Sequence, residues 1–171
     1  MKLQRPPFNF FPILKNHRII LRDVQEADLQ HLVEISFYEG IPAKDLNDAQ
    51  IMNERIRADY LNGNSVHWII SSILSGEILG TCGFYRGFQD GIGEIGYVLI
   101  KTHQGQGYMG EAVSLMLCFG WKELRLKQIR GVTSQDNPSS ISVLKKAGFK
   151  LLEAKDNEMC FHILSTEIKG S

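Results

Sequence analysis

Gln104-Gly105-Gln106-Gly107-Tyr108-Met109-Gly110 is the stretch on which the fold of this chain turns. A strand-like run over residues 91–100 precedes it, and a long apolar helix starts near Gly107. A glycine-rich turn at a helix N-terminus presents several backbone N–H groups to one concave spot. The positive end of the helix dipole adds to their field, so the spot suits a phosphate or pyrophosphate.

Outward from this loop, strand and helix patterns alternate. Arg18-Ile19-Ile20-Leu21-Arg22 reads as a first strand. The spacing of Leu29, Leu32, Val33 and Ile35 predicts one helix over 26–38, broken by Gly40-Ile41-Pro42. A second amphipathic helix is predicted over 46–61 and closed by Asn62-Gly63-Asn64. Strands over 66–74 and 77–85 flank the turn Ser75-Gly76, and Asp90-Gly91 leads into a strand over 92–100. After the loop come a helix to about 122, a strand over 128–133 and a helix over 138–147 stopped by Gly148. Two last strands, 150–154 and 158–164, meet at Lys155-Asp156-Asn157. This order predicts an α/β fold (α+β, a mixed and mostly antiparallel sheet flanked by helices) in a single domain over residues 12–168.

Composition narrows the function classes. Apolar residues make up 43% and charged residues 22%, as in ordinary soluble domains. The 19 Lys and Arg balance the 19 Asp and Glu, which leaves no basic footprint for DNA. The longest apolar run, 112–121, is too short to span a bilayer. Cys82, Cys118 and Cys160 are scattered within apolar patterns, so reduced, buried thiols and a cytoplasmic setting are expected. The five histidines show no paired ligand spacing, so no metal is expected.

Taken literally, Gly105-x-Gly107-x-x-Gly110 matches the dinucleotide fingerprint. The polar segment Lys101-Thr102-His103-Gln104 separates it from the strand, however, and the nearest ribose-binding candidate, Asp136, comes too late. Some 100 residues precede the loop and one more helix follows, which cannot wind a nucleotide half-domain. No Gly-Lys-Ser/Thr exists for a Walker loop.

Gln104-Gly105-Gln106-Gly107-Tyr108-Met109 instead resembles the pyrophosphate loop of the GNAT superfamily of acyl-CoA-dependent N-acetyltransferases. Glu94-Ile95-Gly96-Tyr97-Val98-Leu99 looks like that family's fourth strand. Asn137-Pro138-Ser139-Ser140, followed by an apolar helix and Lys146-Ala147-Gly148-Phe149, is similar to its second cofactor motif. The entry His17-Arg18-Ile19-Ile20-Leu21-Arg22-Asp23 resembles the branch of ribosomal-protein N-terminal acetyltransferases. Met109 stands where the family usually has Gly or Ala, so its side chain is expected to turn away from the phosphates.

The resemblance implies acetyl-CoA as cosubstrate. Tyr97, Val98 and Leu99 would pair with its pantetheine arm. The pyrophosphate would rest on Gln104, Gly105, Gln106, Gly107, Tyr108, Met109 and Gly110, and Asn137 and Ser140 would orient the arm. Gly93 and Gly96 are compatible with a bulge or a close ligand approach, and the Val98 amide is a candidate oxyanion donor. An ammonium has no lone pair, so a base helps; Glu94 is the candidate. Ser140 would protonate the leaving thiolate. Each residue also has a plain structural role: Asn137 and Ser140 as helix-start residues, Glu94 as a solvated strand residue, Cys118 as core. The leading acceptor is a protein N-terminal α-amine. The alternatives are a small amine such as a polyamine or aminoglycoside, or a non-catalytic CoA-binding module. A homodimer through the late strands is compatible with the family.

Overall fold

The computed structural model describes residues 3–168. Its main sheet has eight strands: β1 (Leu14–Lys15), β2 (Ile19–Arg22), β5 (Val66–Ser72), β6 (Ile78–Tyr85), β7 (Ile92–Leu99), β8 (Gln128–Ser134), β9 (Lys150–Lys155) and β10 (Glu158–Leu164). Two further strands, β3 (Phe37–Tyr38) and β4 (Ile41–Pro42), form a separate small hairpin. The helices are α1 (Leu29–Leu32), α2 (Leu46–Leu61), α3 (Tyr108–Lys122) and α4 (Pro138–Lys146). In space the main strands run β1-β2-β5-β6-β7-β8-β10-β9. Every neighbouring pair is antiparallel except β7 and β8.

The chain order explains that exception. β5, β6 and β7 follow one another by short turns, as antiparallel strands can. From β7 the chain crosses through α3 and returns parallel as β8, which needs a helical crossover. Their pairing covers only Ile92↔Gln128 to Ile95↔Gly131, so beyond Ile95 the two strands part.

Alternation along the central strands sends side chains to two cores. On one face Val66, Trp68, Ile70, Phe84, Ile95 and Ile129 pack against α3. The Trp68 and Phe119 rings meet edge to face at 5.3 Å, and Trp68 Nε1 donates to the Pro12 carbonyl at 2.8 Å. Leu3, Phe8 and Phe11 add to this core. α3 lies so close to the sheet at Gly120 that a Cβ there would come within 2.7 Å of Ile129 Cδ1. On the other face Ile69 packs with Val24, Leu29, Leu32 and Ile35, with Val98 against them.

Local signals set several ends as the sequence indicates. Asp45 Oδ1 accepts the Asp48 N–H at 2.9 Å and caps α2. Pro138 opens α4, and Gly148 follows it with φ +91°. The predicted helix over 26–38 is corrected. Residues 26–35 form a 3₁₀ turn, the single α-turn α1 and another 3₁₀ turn, and β3 and β4 follow. Two contacts account for the interruption. Arg22 grips Asp28 with a two-pronged guanidinium fork at 2.7 and 2.9 Å, and Ser36 Oγ donates to the Leu32 carbonyl at 2.8 Å. Glu39 and Gly40, both at positive φ, then reverse the chain.

The expectation of buried thiols holds for Cys82 alone. Cys160 is half-buried and Cys118 is exposed. Ser114 and Cys118 are one helical turn apart on the outer side of α3, opposite Val113, Met116 and Gly120. Among the described residues, no helix is long and apolar enough to cross a membrane.

Candidate active site at the notch

The glycine loop sits at the end of β7, where the notch opens. Gly105 and Gly107 have φ of +74° and +85°, and Gly107 is the N-cap of α3. A side chain in this left-handed region is strained, so glycine answers a backbone demand here. The hydrogen-bond ladder of α3 opens with the Glu111 N–H donating to the Gly107 carbonyl at 3.3 Å. The amides of Tyr108, Met109 and Gly110 therefore precede the helical ladder and project at its positive end. Met109 turns into the core at 6% exposure, so the departure from a small residue leaves the amide surface clear.

A buttress that sequence reading missed holds the loop from behind. Arg18 on the β1–β2 turn pairs with Glu111, donates to the Gln106 carbonyl at 3.2 Å, and stacks 4.4 Å from the Tyr108 ring centroid. Asn16 Nδ2 donates to the other Glu111 oxygen at 2.7 Å. Gln104, expected to contact the ligand, sends its Nε2 back to the Leu99 carbonyl at 3.2 Å. Gln106 Nε2 donates to the Thr102 carbonyl at 3.1 Å.

Strand alternation decides which groups of β7 face the notch. The Ile100 N–H donates to the Leu79 carbonyl, and the β6–β7 register runs on without a shift. Val98 therefore turns its amide to Thr81 of β6, which removes it as the oxyanion donor. Tyr97 and Leu99 turn theirs toward the notch. No bulge occurs in β7: the space beside Gly93 is taken by Leu126 and Phe84, and that beside Gly96 by the Tyr85 ring.

Ser140 and Tyr97 meet at 3.0 Å between oxygens. Asn137 Oδ1 accepts the Ser140 N–H at 3.1 Å, so Asn137 acts as the cap and fixes Ser140 in the first turn of α4. Burial raises the Tyr97 phenol above its ordinary pKa, while the Ser140 hydrogen bond pulls the other way. The phenol is consequently a proton donor at neutral pH.

On the opposite face of the sheet a cavity of about 530 Å³ reaches the same stretch of β7. Leu29, Leu32, Ile35, Met52, Val98 and Val132 form its apolar wall, and among the described residues no Asp, Glu, Lys or Arg lines it. Its polar groups include His67 and Tyr85, joined by a hydrogen bond between Nδ1 and Oη. Burial lowers the His67 pKa to about 4 and raises that of Tyr85. Glu94 lies outside the cavity wall, where its carboxylate meets Arg86 at 3.1 Å. The structure thus brings Tyr97, Ser140 and Asn137 together and leaves Glu94 apart from them. His67 and Tyr85 are 18 residues apart in sequence, and only the register of β5 on β6 makes them neighbours.

Residues 18–150 match the family model of the acetyltransferase (GNAT) domain. The N-acetyltransferase YoaA of Bacillus subtilis (strain 168) is 30% identical over 148 residues, covering 82% of this chain and 84% of that protein. Two solved structures share the fold. A ribosomal-protein α-N-acetyltransferase in complex with coenzyme A superposes with a TM-score of 0.78 at 16% identity, over 90% of this chain and 98% of that one. A spermidine N-acetyltransferase from Vibrio cholerae gives 0.74 at 15% identity, over 91% of this chain and 100% of that one.

Proposed function

The chain belongs to the GNAT acetyltransferases and is an N-acetyltransferase, and from that premise we propose that it transfers acetyl from acetyl-CoA to the α-amine of a protein N-terminus whose first side chain is small or apolar. The family's cosubstrate suits the residues of the notch. The left-handed glycine cap and the amides from Gly105 to Gly110 offer donors to a pyrophosphate. The notch-facing amides of Tyr97 and Leu99 are free of β8 and can pair with the pantetheine arm. When bound, acetyl-CoA supplies an activated acyl group, and the protein's part is alignment and proton handling.

Ser140 and Tyr97 stand together as donors for the departing thiolate, with Tyr97 resupplying Ser140 across their hydrogen bond. Asn137 holds Ser140 in place.

The observation that carries the acceptor assignment is the uncharged cavity beside Val98. A polyamine holds several ammonium groups at neutral pH, and burying them requires carboxylates, which this wall lacks. An N-terminal α-amine carries a single charge and has a reference pKa near 7.7–8.0, so roughly a tenth to a sixth of it is already the neutral base at pH 7 and can enter the cavity uncharged. The test is a panel of peptides differing in first residue, run beside spermidine and an aminoglycoside, with thiol release and product mass as readouts. Peptides beginning with small or apolar residues are expected to exceed spermidine in kcat/KM by at least about tenfold, the effect of ~1.4 kcal/mol. A preference for spermidine overturns the acceptor assignment.

A further inference from the structure

We propose that Tyr85 and His67 form the proton-accepting pair of this acetyltransferase, with Tyr85 Oη receiving the amine proton and His67 Nδ1 taking the phenol proton in the same movement. The inference rests on the acceptor side being the cavity beside Val98. It assigns that cavity a catalytic group which the family resemblance does not supply.

Three features of the structure carry it. First, both side chains line the cavity, and their hydrogen bond joins β5 to β6 beneath it. Second, the sheet is shaped around the Tyr85 ring. Gly83 and Gly96 pair across β6 and β7, and a Cβ at either position would come within 3.0 Å of that ring or closer. Two glycines in register hold the phenol against the strands and leave His67 within reach of its oxygen. Third, apart from this pair and Tyr97, no titratable side chain among the described residues lines the cavity. The nearest charges in register are Glu94, paired with Arg86, and Arg130 on β8, one strand further.

The protonation states follow from burial. Tyr85 keeps its proton and His67 stays neutral. The phenol therefore donates to the imidazole lone pair at Nδ1, and its own oxygen lone pairs remain available to an amine N–H. The cavity has no anion to hold an ammonium, so the acceptor enters as the free amine. Its nitrogen lone pair forms the N–C bond to the thioester carbonyl carbon, and the carbonyl π pair moves to oxygen. The nitrogen, now cationic and strongly acidic, gives one proton to Tyr85 Oη as the phenol proton passes to Nδ1. When the carbonyl re-forms, the C–S bond breaks, and the sulfur takes a proton from the Ser140–Tyr97 pair on the other side of the notch. Tyr85 ends with the one proton it began with. His67 then releases its extra proton to solvent, and the Ser140–Tyr97 pair, which gave one to the sulfur, takes one back from solvent, so each charge is accounted for.

The experiment compares Tyr85→Phe, His67→Gln, His67→Ala and Glu94→Gln in the full chain, with the best acceptor from the amine panel. Tyr85→Phe and His67→Gln are expected to lower kcat about 100-fold, the usual scale of a positioned base, while the acetyl-CoA Kd stays within about twofold. Added imidazole is expected to restore part of the His67→Ala rate. As a readout independent of turnover, the His67 ring signals in nitrogen-15 NMR should remain those of a neutral imidazole down to about pH 5. They should also shift when acceptor peptide is added without acetyl-CoA. Tyr85→Phe and His67→Gln each keeping kcat within threefold, or the loss falling on Glu94→Gln instead, overturns the pair. So does a loss confined to the acceptor KM with no imidazole rescue. If peptides are inert and a small amine is turned over, the acceptor assignment fails, and the same comparison on that amine still decides the pair.

Discussion

Tyr97 Oη lies 3.0 Å from Ser140 Oγ, linking β7 to the first turn of α4 over the notch where β7 and β8 part. One partner sits on a strand that carries the glycine loop at its end, the other on the helix that follows the parallel strand. The contact therefore reports whether the crossover through α3 has closed correctly.

Ser140→Ala removes the hydroxyl but leaves the Asn137 cap, which uses the Ser140 backbone N–H. Turnover is expected to fall by roughly 10²-fold, with acetyl-CoA affinity nearly unchanged. Steady-state kinetics beside calorimetric binding checks this, and unchanged turnover removes Ser140 from proton delivery. Because burial raises the Tyr97 phenol, no alkaline loss of rate from Tyr97 is expected below the ordinary phenol value near pH 10.

At the loop, Gly107→Ala places a side chain at φ +85°. The cost of holding it there is about 1–2 kcal/mol, enough to distort the cap of α3. The expected result is a lower Tm together with roughly tenfold weaker acetyl-CoA binding. Wild-type affinity in a folded Gly107→Ala protein would separate the loop from the cofactor.

The Arg18–Glu111 contact is half-exposed and adds little to global stability. Its expected effect is local. Glu111→Gln should leave the unfolding midpoint close to wild type and raise the KM for acetyl-CoA, because Arg18 also holds the Gln106 carbonyl and the Tyr108 ring. Urea unfolding and initial rates measure the two halves of this statement.

Gly120→Ala pushes a Cβ to within 2.7 Å of Ile129 Cδ1 and 3.0 Å of Phe84 Cζ. Overpacking of this kind costs about 1–3 kcal/mol, which should outweigh the helix propensity gained. Equilibrium unfolding should show the loss, while the Kd for acetyl-CoA in the folded fraction stays constant.

The depressed His67 pKa gives folding stability a defined pH dependence. The unfolded chain binds its proton near pH 6.5 and the folded chain near 4, so the unfolded state holds more protons between those values. Stability contributed by neutral His67 is present above pH 6.5 and is lost as pH falls toward 4, by at most about 1.4 kcal/mol per pH unit. His67→Gln should flatten that part of the stability–pH curve, and an unaltered slope would assign it to other groups.

Elements set by local chemistry are legible from the chain. The bounds of α2 follow from Asp45 at one end and Asn62-Gly63 at the other, and the last strand reads as Glu158–Leu164 in sequence and structure alike. The helix expected over 26–38 failed because its apolar spacing also serves a broken path. Arg22 reaching Asp28 and the reversal at Glu39-Gly40 decided between the two. Cys118 lies outside for a similar reason: an apolar run does not say which side of its helix meets the sheet.

By itself the sequence determined the glycine loop at the start of α3, because left-handed glycines and a helix start are properties of adjacent residues. It likewise determined the family, through motifs that are each short and local in the chain. Only the tertiary structure decided what stands on either side of the notch. Strand register turns the Tyr97 and Leu99 amides inward, joins Tyr97 to Ser140, and sets Tyr85 against His67 in an uncharged cavity. Those pairings join residues from different strands and helices, and a side chain's neighbours across a sheet are fixed by register, which no local pattern encodes.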